Sequence, residues 1–178
     1  PTYGFGGFFD DKKSSDPVLL SGKPAIDMEG IIKVYKAALK DVTLGHPTNF
    51  QPSIRLAKLA ARKSIQQGDL VYTVLLICTD GDISDMQATI DEIVDASNDP
   101  LSIIVVGIGY LEFEHMEVLD ADTQNLKDSK DKPAARDIVQ FVPYAQYSDA
   151  PHKLGPELLK ELPAQITQYM QRQNQFPT

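Results

Sequence analysis

The residues best suited to chemistry stand together at the exit of the most apolar stretch of the chain. VYTVLLICTDGDISDMQ, residues 71–87, climbs through β-forming side chains to Asp80-Gly81-Asp82. A carboxylate at a strand exit is a rigid donor that solvent can reach. Hard divalent cations take oxygen ligands held in place, and Thr48, in the loop GHPTNF, offers a hydroxyl from a second loop. The same two aspartates can equally be turn and N-cap residues, because aspartate is favoured at both places. A third reading is enzymatic. Aspartate phosphotransferases set Asp-x-Asp after a buried strand, the first carboxylate attacking phosphorus and the second moving the proton. Asp80 and Asp82 fit that local pattern, with Lys127 and the acidic groups of LDAD (119–122) as its downstream candidates.

Other candidates carry less. In VVGIGYLEF the dinucleotide pattern Gly-x-Gly-x-x-Gly stops short, because Glu112 stands where the third glycine belongs. Cys78 lies inside the apolar run and reads as a small hydrophobe. His46, His115 and His152 are scattered, and a single cysteine provides neither a disulfide framework nor a zinc cluster. The net charge of -8 over 178 residues argues against nucleic acid or an anionic membrane surface as a direct partner. It suits a cation, a basic protein partner, or solubility alone. With 42% hydrophobic and 24% charged residues, the chain reads as one globular domain with a real core. No apolar run approaches the length of a membrane span and no leader pattern opens the chain, so an intracellular soluble domain is expected.

The elements that must position these groups follow from periodicity. TYGFGGFF (2–9) reads as a strand, DDKKSSD (10–16) as a polar turn and PVLLSG as a short strand. DMEGIIKVYKAALKDV spaces Met28, Ile31, Ile32, Tyr35 and Leu39 as one helical stripe, with Asp27 as its cap. After a Gly/Pro/Asn loop comes a helix with Pro52 near its first turn and Gly68 past its end. Residues 70–78 are apolar on both faces, as in a buried parallel strand. Ser84-x-x-Gln87 resembles a capping box ahead of a helix with Met86, Ile90, Ile93 and Val94 on one side. PLSIIVVGIG (100–109) is a second buried strand, EFEHMEVLD a short helix, residues 121–137 a charged loop and IVQFVPY a last strand. A terminal helix from Pro156 to about Arg172 turns Leu158, Leu159, Leu162, Ile166, Tyr169 and Met170 inward, with a kink or break at Pro163. Strands alternating with helices give an α/β sandwich with a mostly parallel sheet. Ligands in such folds sit beyond the carboxyl ends of the strands, where Asp80, Asp82 and Gly107-Ile108-Gly109 stand.

Five stretches in order, PTYGFGG, GHPTNF, LLICTDGDISDM, DASNDPLSIIVVGIG and AARDIVQFVPY, followed by LPAQITQYM, resemble the C-terminal von Willebrand factor A-type domain of the copine family. The likeness runs from the first residue to the terminal helix. A similar domain occurs in plant RING ubiquitin ligases, but ARDIVQFVPY looks more like copines and no RING cysteines are present. The resemblance implies a Rossmann-like sheet with helices on both faces and a metal-ion-dependent adhesion site (MIDAS) at its top. Three loops make that site in the family, carrying Asp-x-Ser-x-Ser, a threonine and an aspartate. Thr48 matches the second loop and Asp80 the third, facing Mg2+, or Mn2+ or Ca2+, directly or through water. Asp82 has no matching role beyond a cap or turn.

The strand, Asp-x-Ser-x-Ser loop and helix that precede the GFG strand in the family have no counterpart in the sequence. The A-type domain, residues 1–178, is therefore expected to be N-terminally incomplete, with apolar strand edges open to pairing. Any ion would then be weakly held or absent, and a strand exchanged from another chain is one way to close the sheet. The implied function is a protein–protein interaction module of a calcium-dependent phospholipid-binding protein in intracellular signalling. It would recruit target proteins, an acidic residue of the target completing the ion site, without being an enzyme. Membrane binding belongs to two C2 domains that this chain lacks, so cytoplasmic residence with peripheral membrane association describes the full-length protein. The competing readings are a phosphotransferase using Asp80 and Asp82, and a structural module with a non-functional ion site.

Overall fold

The computed structural model describes residues 1–9, 12–13, 17–20, 27–68, 71–110, 113–120 and 125–173. The N-terminal part is built of ribbons. Strand β1 (Tyr3–Gly4) and strand β2 (Gly7–Phe9) are separate, split at Gly6, whose φ of 69° is a conformation glycine adopts without strain. The sequence predicts one strand here and a polar turn after it. Instead β3 (Lys12–Lys13) folds back antiparallel on β2, while the rest of 10–16 lies outside the described residues. Strand β4 (Val18–Leu19) pairs with β1. Helix α1 (Met28–Ala38) starts where expected, with the Asp27 carboxylate accepting from Gly30 N–H at 2.7 Å. Strand β5 (Val42–Leu44) then runs antiparallel to β2.

The α1 stripe does not face a core. None of its residues is buried, and Met28, Ile31, Ile32, Tyr35 and Leu39 are all exposed. Only Tyr35, Ala38 and Leu39 reach an apolar groove shared with Phe5, Val42 and Leu44. Periodicity specifies that a helix has an apolar face; it does not supply the surface that covers it.

The rest of the chain forms the sandwich. Helix α2 (Gln51–Gln66) has Pro52 in its first turn and ends before Gly68, at φ 80°. It is followed by β6 (Thr73–Thr79), α3 (Met86–Ala96), β7 (Leu101–Gly107), α4 (Glu114–Asp120) and β8 (Val139–Pro143). The three strands are parallel in the order β6-β7-β8, with Thr79 level with Gly107 and Gly107 level with Pro143. On one face Ile77, Ile103 and Val105 pack with Ile54, Ala61 and Ile93 of α2 and α3. The terminal helix breaks as expected, into α5 (Leu154–Leu158) and α6 (Leu162–Arg172), with Pro163 in the first turn of the second piece. Its Tyr169 is buried, but Leu159 falls in the break and is exposed. Helix α6 covers the other face of β7, where Ser102 Oγ donates to Gln165 Oε1 at 2.6 Å. Mixed α/β layering of this kind, a parallel sheet flanked by helices, is consistent with the expected Rossmann-like A-type fold.

One strand departs from expectation. β7 is buried along its whole length, but β6 is not: Val74, Leu76 and Cys78 are exposed. Register explains this. Val74, Leu76 and Cys78 lie level with Ser102, Ile104 and Val106, on the face that α6 covers over β7 only. No described strand pairs the outer edge of β6. An uncharged apolar edge is a template for association. Leu76→Lys is therefore expected to change folding stability by no more than about 0.5 kcal/mol while reducing concentration-dependent association, as read by sedimentation velocity.

Candidate functional site

The two loops that carry Thr48 and Asp80 are locked together by backbone and side-chain bonds between distant residues. Ser84 N–H donates to Thr48 O at 2.8 Å, and Thr48 N–H donates to Ser84 Oγ at 3.2 Å. Asp85 supplies the larger part of the lock. Its carboxylate accepts from Phe50 N–H at 2.9 Å and Gln51 N–H at 3.0 Å, capping the start of α2 from across the fold. Thr89 Oγ1 also donates to it, at 3.1 Å. Helix α2 has no capping side chain of its own, because its N-cap position is Phe50. The expected capping box at Ser84 and Gln87 does not form: Ser84 serves Thr48, and Gln87 donates to Asp91 at 2.9 Å. A Ser-x-x-Gln pattern records spacing alone; here a tertiary partner takes Ser84 and a neighbour one turn along α3 takes Gln87.

The lock brings the predicted groups near one another. A side chain at Gly81, next to Asp80, would lie 3.7 Å from Thr48 Oγ1. The turn is held internally by Thr79, whose hydroxyl donates to Gly81 O at 2.9 Å, and by Ile108 N–H donating to Thr79 O at 2.7 Å. Asp82 has a double role that its sequence position only half suggests. One oxygen accepts from Ile83 N–H at 2.9 Å, the turn role, and the other pairs with His115 Nδ1 on α4. That contact with Asp82 raises the imidazole pKa above its ordinary value. Asp80 is exposed, and among the described residues nothing hydrogen-bonds or ion-pairs its carboxylate. So of the two aspartates, Asp82 is committed and Asp80 is open.

The downstream groups of the phosphotransferase reading lie elsewhere. The Asp120 carboxylate accepts from Phe141 N–H at 2.7 Å, and Lys127 is exposed on a separate hairpin; Asp122 lies outside the described residues. Cys78, read as buried, is exposed, although nearby protein still raises its thiol pKa by desolvation. Among the described residues no group of three His, Cys, Asp or Glu side chains is placed to hold a metal ion. The donors at hand, a hydroxyl and a carboxylate, are of the right kind for a hard cation. Two of them are fewer than such an ion takes, so they fit as part of a ligand set.

Behind the loops, an ionic network that periodicity does not reveal fixes α2 on α3. Lys58 is buried, pairs with Glu92 and meets Asp95 at 2.7 Å; Arg62 bridges Asp95 at 3.0 Å and Asp99 at 2.9 Å. Burial opposes the Lys58 charge, but the hydrogen bonds to Asp95 and Glu92 outweigh it and its pKa is raised. The Lys58 hydrogen bond lowers the Asp95 pKa from 3.8. A depressed carboxylate contributes stability that is present above its unfolded value and lost as pH falls through its folded value. Asp95→Asn is expected to be less stable than the parent at neutral pH, with the gap closing as pH drops below 3.8. Denaturant melts across that range check this.

The Copine family's sequence model matches residues 1–178, the whole chain. This chain belongs to the copine family. It is 44% identical over 151 residues to Copine-E of Dictyostelium discoideum, covering 84% of the chain and 26% of that protein. It is 41% identical over 173 residues to Copine-D of the same organism, covering 94% and 32%. Over 182 residues it is 41% identical to Protein BONZAI 1 of Arabidopsis thaliana, covering 99% and 32%. The chain thus spans about a third or less of the length of these curated relatives. Their names state no enzymatic activity. Among the described residues of this copine-family chain, no helix is long and apolar enough to cross a membrane.

Proposed function

We propose that this chain is the interaction module of a copine-like protein, recruiting target proteins through an ion site at the top of its sheet. Thr48 and Asp80 would hold a divalent ion, Mg2+ with Mn2+ or Ca2+ as substitutes, as two members of a larger ligand set. The bound ion would supply an open coordination position for an acidic side chain of the target. The chain's own residues do the rest: Asp85 and Ser84 fix the Thr48 loop, while Asp82 and His115 fix the turn that presents Asp80. What carries this reading is the contrast in that turn, where Asp80 is the exposed carboxylate left uncommitted among tethered neighbours. No Asp-x-Ser-x-Ser occurs in the 178 residues, so a weak site is expected from these residues alone, or one completed by a segment from another chain that carries that loop. The full-length protein would be cytoplasmic, with peripheral membrane association supplied by C2 domains outside this chain.

The module is read as a binding unit, not an enzyme, because Asp82 is tied to His115 and Ile83 while Asp120 is spent on the backbone of β8. Titration with Mn2+, followed by electron paramagnetic resonance, tests the site. Binding is expected in the parent chain and its loss in Asp80→Ala, with Thr48→Ala weakening it roughly tenfold, one lost ligand among several. Equal binding in all three would sink the ion site and leave a structural module. Hydrolysis of a phosphate ester that vanishes in Asp80→Ala would instead establish the phosphotransferase.

A further inference from the structure

The charged segment before β8 is more ordered than its composition suggests. Residues 126–134 close as a hairpin. Ala134 N–H donates to Leu126 O at 2.8 Å, Asp128 N–H donates to Lys132 O at 3.0 Å, and Lys127 and Pro133 form a bridge. The tip is braced from within. The Asp128 carboxylate accepts from the N–H groups of Lys130 and Lys132 at 2.8 and 2.9 Å, and Asp131 takes a φ of 60°, a region aspartate tolerates. At the tip, Ser129 fastens the hairpin to α3. Its N–H and its hydroxyl donate to the two oxygens of Asp91, at 2.7 and 2.9 Å. These bonds and the one from Gln87, the largest contribution, lower the Asp91 pKa, so the latch holds a full negative charge.

Ser129 is exposed, and so are Lys127, Lys130 and Lys132, at positions -2, +1 and +3 from it. Among the described residues none of these lysines forms an ion pair. A serine hydroxyl at a loop tip, with three exposed lysines within three residues of it, complements the acidic substrate groove of a kinase that reads basic residues. Another serine with basic neighbours, Ser64 after Arg62 and Lys63, has its hydroxyl oxygen buried inside α2. The exposed Ser84 and Ser148 have no Lys or Arg within three residues.

We propose that Ser129 is a phosphorylation site for a basic-directed serine kinase, and that its phosphate releases the hairpin from α3. In the transfer, Ser129 Oγ forms a bond to the γ-phosphorus of ATP and the bond from that phosphorus to the bridging oxygen breaks. ADP leaves, and the hydroxyl proton passes to the kinase's base. The product has lost the O–H that donated to Asp91 and gained a charge of about -1.5 to -2 facing that carboxylate. An attraction becomes a repulsion, while Lys127, Lys130 and Lys132 can turn to the phosphate. This inference does not depend on the ion site.

The 178-residue chain, treated with the catalytic domain of protein kinase C and ATP, provides the test by mass-spectrometric mapping and amide hydrogen exchange. Phosphate is expected on Ser129 and absent in Ser129→Ala. Exchange across residues 127–132 is expected to speed up roughly tenfold or more on phosphorylation, and by less in Asp91→Asn, where the opposing charge is gone. No incorporation, or incorporation at Ser64 with Ser129 untouched, overturns the site. Phosphate on Ser129 with unchanged exchange overturns the release.

Discussion

Arg136→Ala is expected to destabilise the chain by about 3 kcal/mol, the cost of losing a buried guanidinium's hydrogen bonds and packing. Arg136 is 5% exposed. Its Nη2 donates to Asp99 O at 2.6 Å and Leu101 O at 2.8 Å, and its Nη1 donates to Gln165 O at 3.3 Å. The guanidinium also lies 5.8 Å from the Tyr72 ring centre and 5.5 Å from that of Tyr169, within the range of cation–π attraction. Burial lowers its pKa, yet a guanidinium stays charged in proteins. From the segment ahead of β8, Arg136 therefore joins the entry to β7 and helix α6 through one planar fork. Alanine would remove the guanidinium donors from three carbonyls, leaving Asp99 O its bond from Leu101 N–H and Leu101 O its bond from the Tyr72 hydroxyl, and would open a void between two tyrosines. Arg136→Lys keeps the charge but not the fork and should fall between the two. Chemical denaturation with an unchanged slope would assign the loss to the folded state; a loss below about 1 kcal/mol would mean that water replaces the guanidinium.

Asp85→Ala is the second large effect expected, about 2 kcal/mol, at the upper end for loss of a helix cap. Here the cap is shared between loops. Phe50 N–H and Gln51 N–H would lose their acceptor together, and Thr89 its partner. Asp85→Asn retains only one oxygen for two backbone donors and is expected to lose about half as much. The larger consequence is positional. With α2 uncapped, the Thr48 loop is held to the Asp80 turn mainly by the paired bonds of Ser84. Mn2+ affinity should therefore fall in Asp85→Ala, although Asp85 is not a proposed ligand. Intact Mn2+ binding in a destabilised Asp85→Ala chain would show that the loop is placed by Ser84 alone.

Local chemistry made several features readable before any contact was known. The stop at Gly68, the Asp27 cap, the break ahead of Pro163 and the buried run of β7 each follow from one residue type or a short pattern. The A-type resemblance likewise singled out Thr48 and Asp80 by motif. Those features depend on neighbours within a turn or two, which the sequence states directly. The tertiary structure decided which faces are covered and which carboxylates are free. The α1 stripe and the outer face of β6 are as apolar as true core positions, yet both are exposed, since burial depends on a partner surface that no local pattern encodes. Asp80 and Asp82 differ by two positions and not in type. His115, 33 residues beyond Asp82, is what commits one and leaves the other open. Ser84, Asp85 and Arg136 gained their roles the same way, from hydrogen-bond partners that only the folded chain brings within reach.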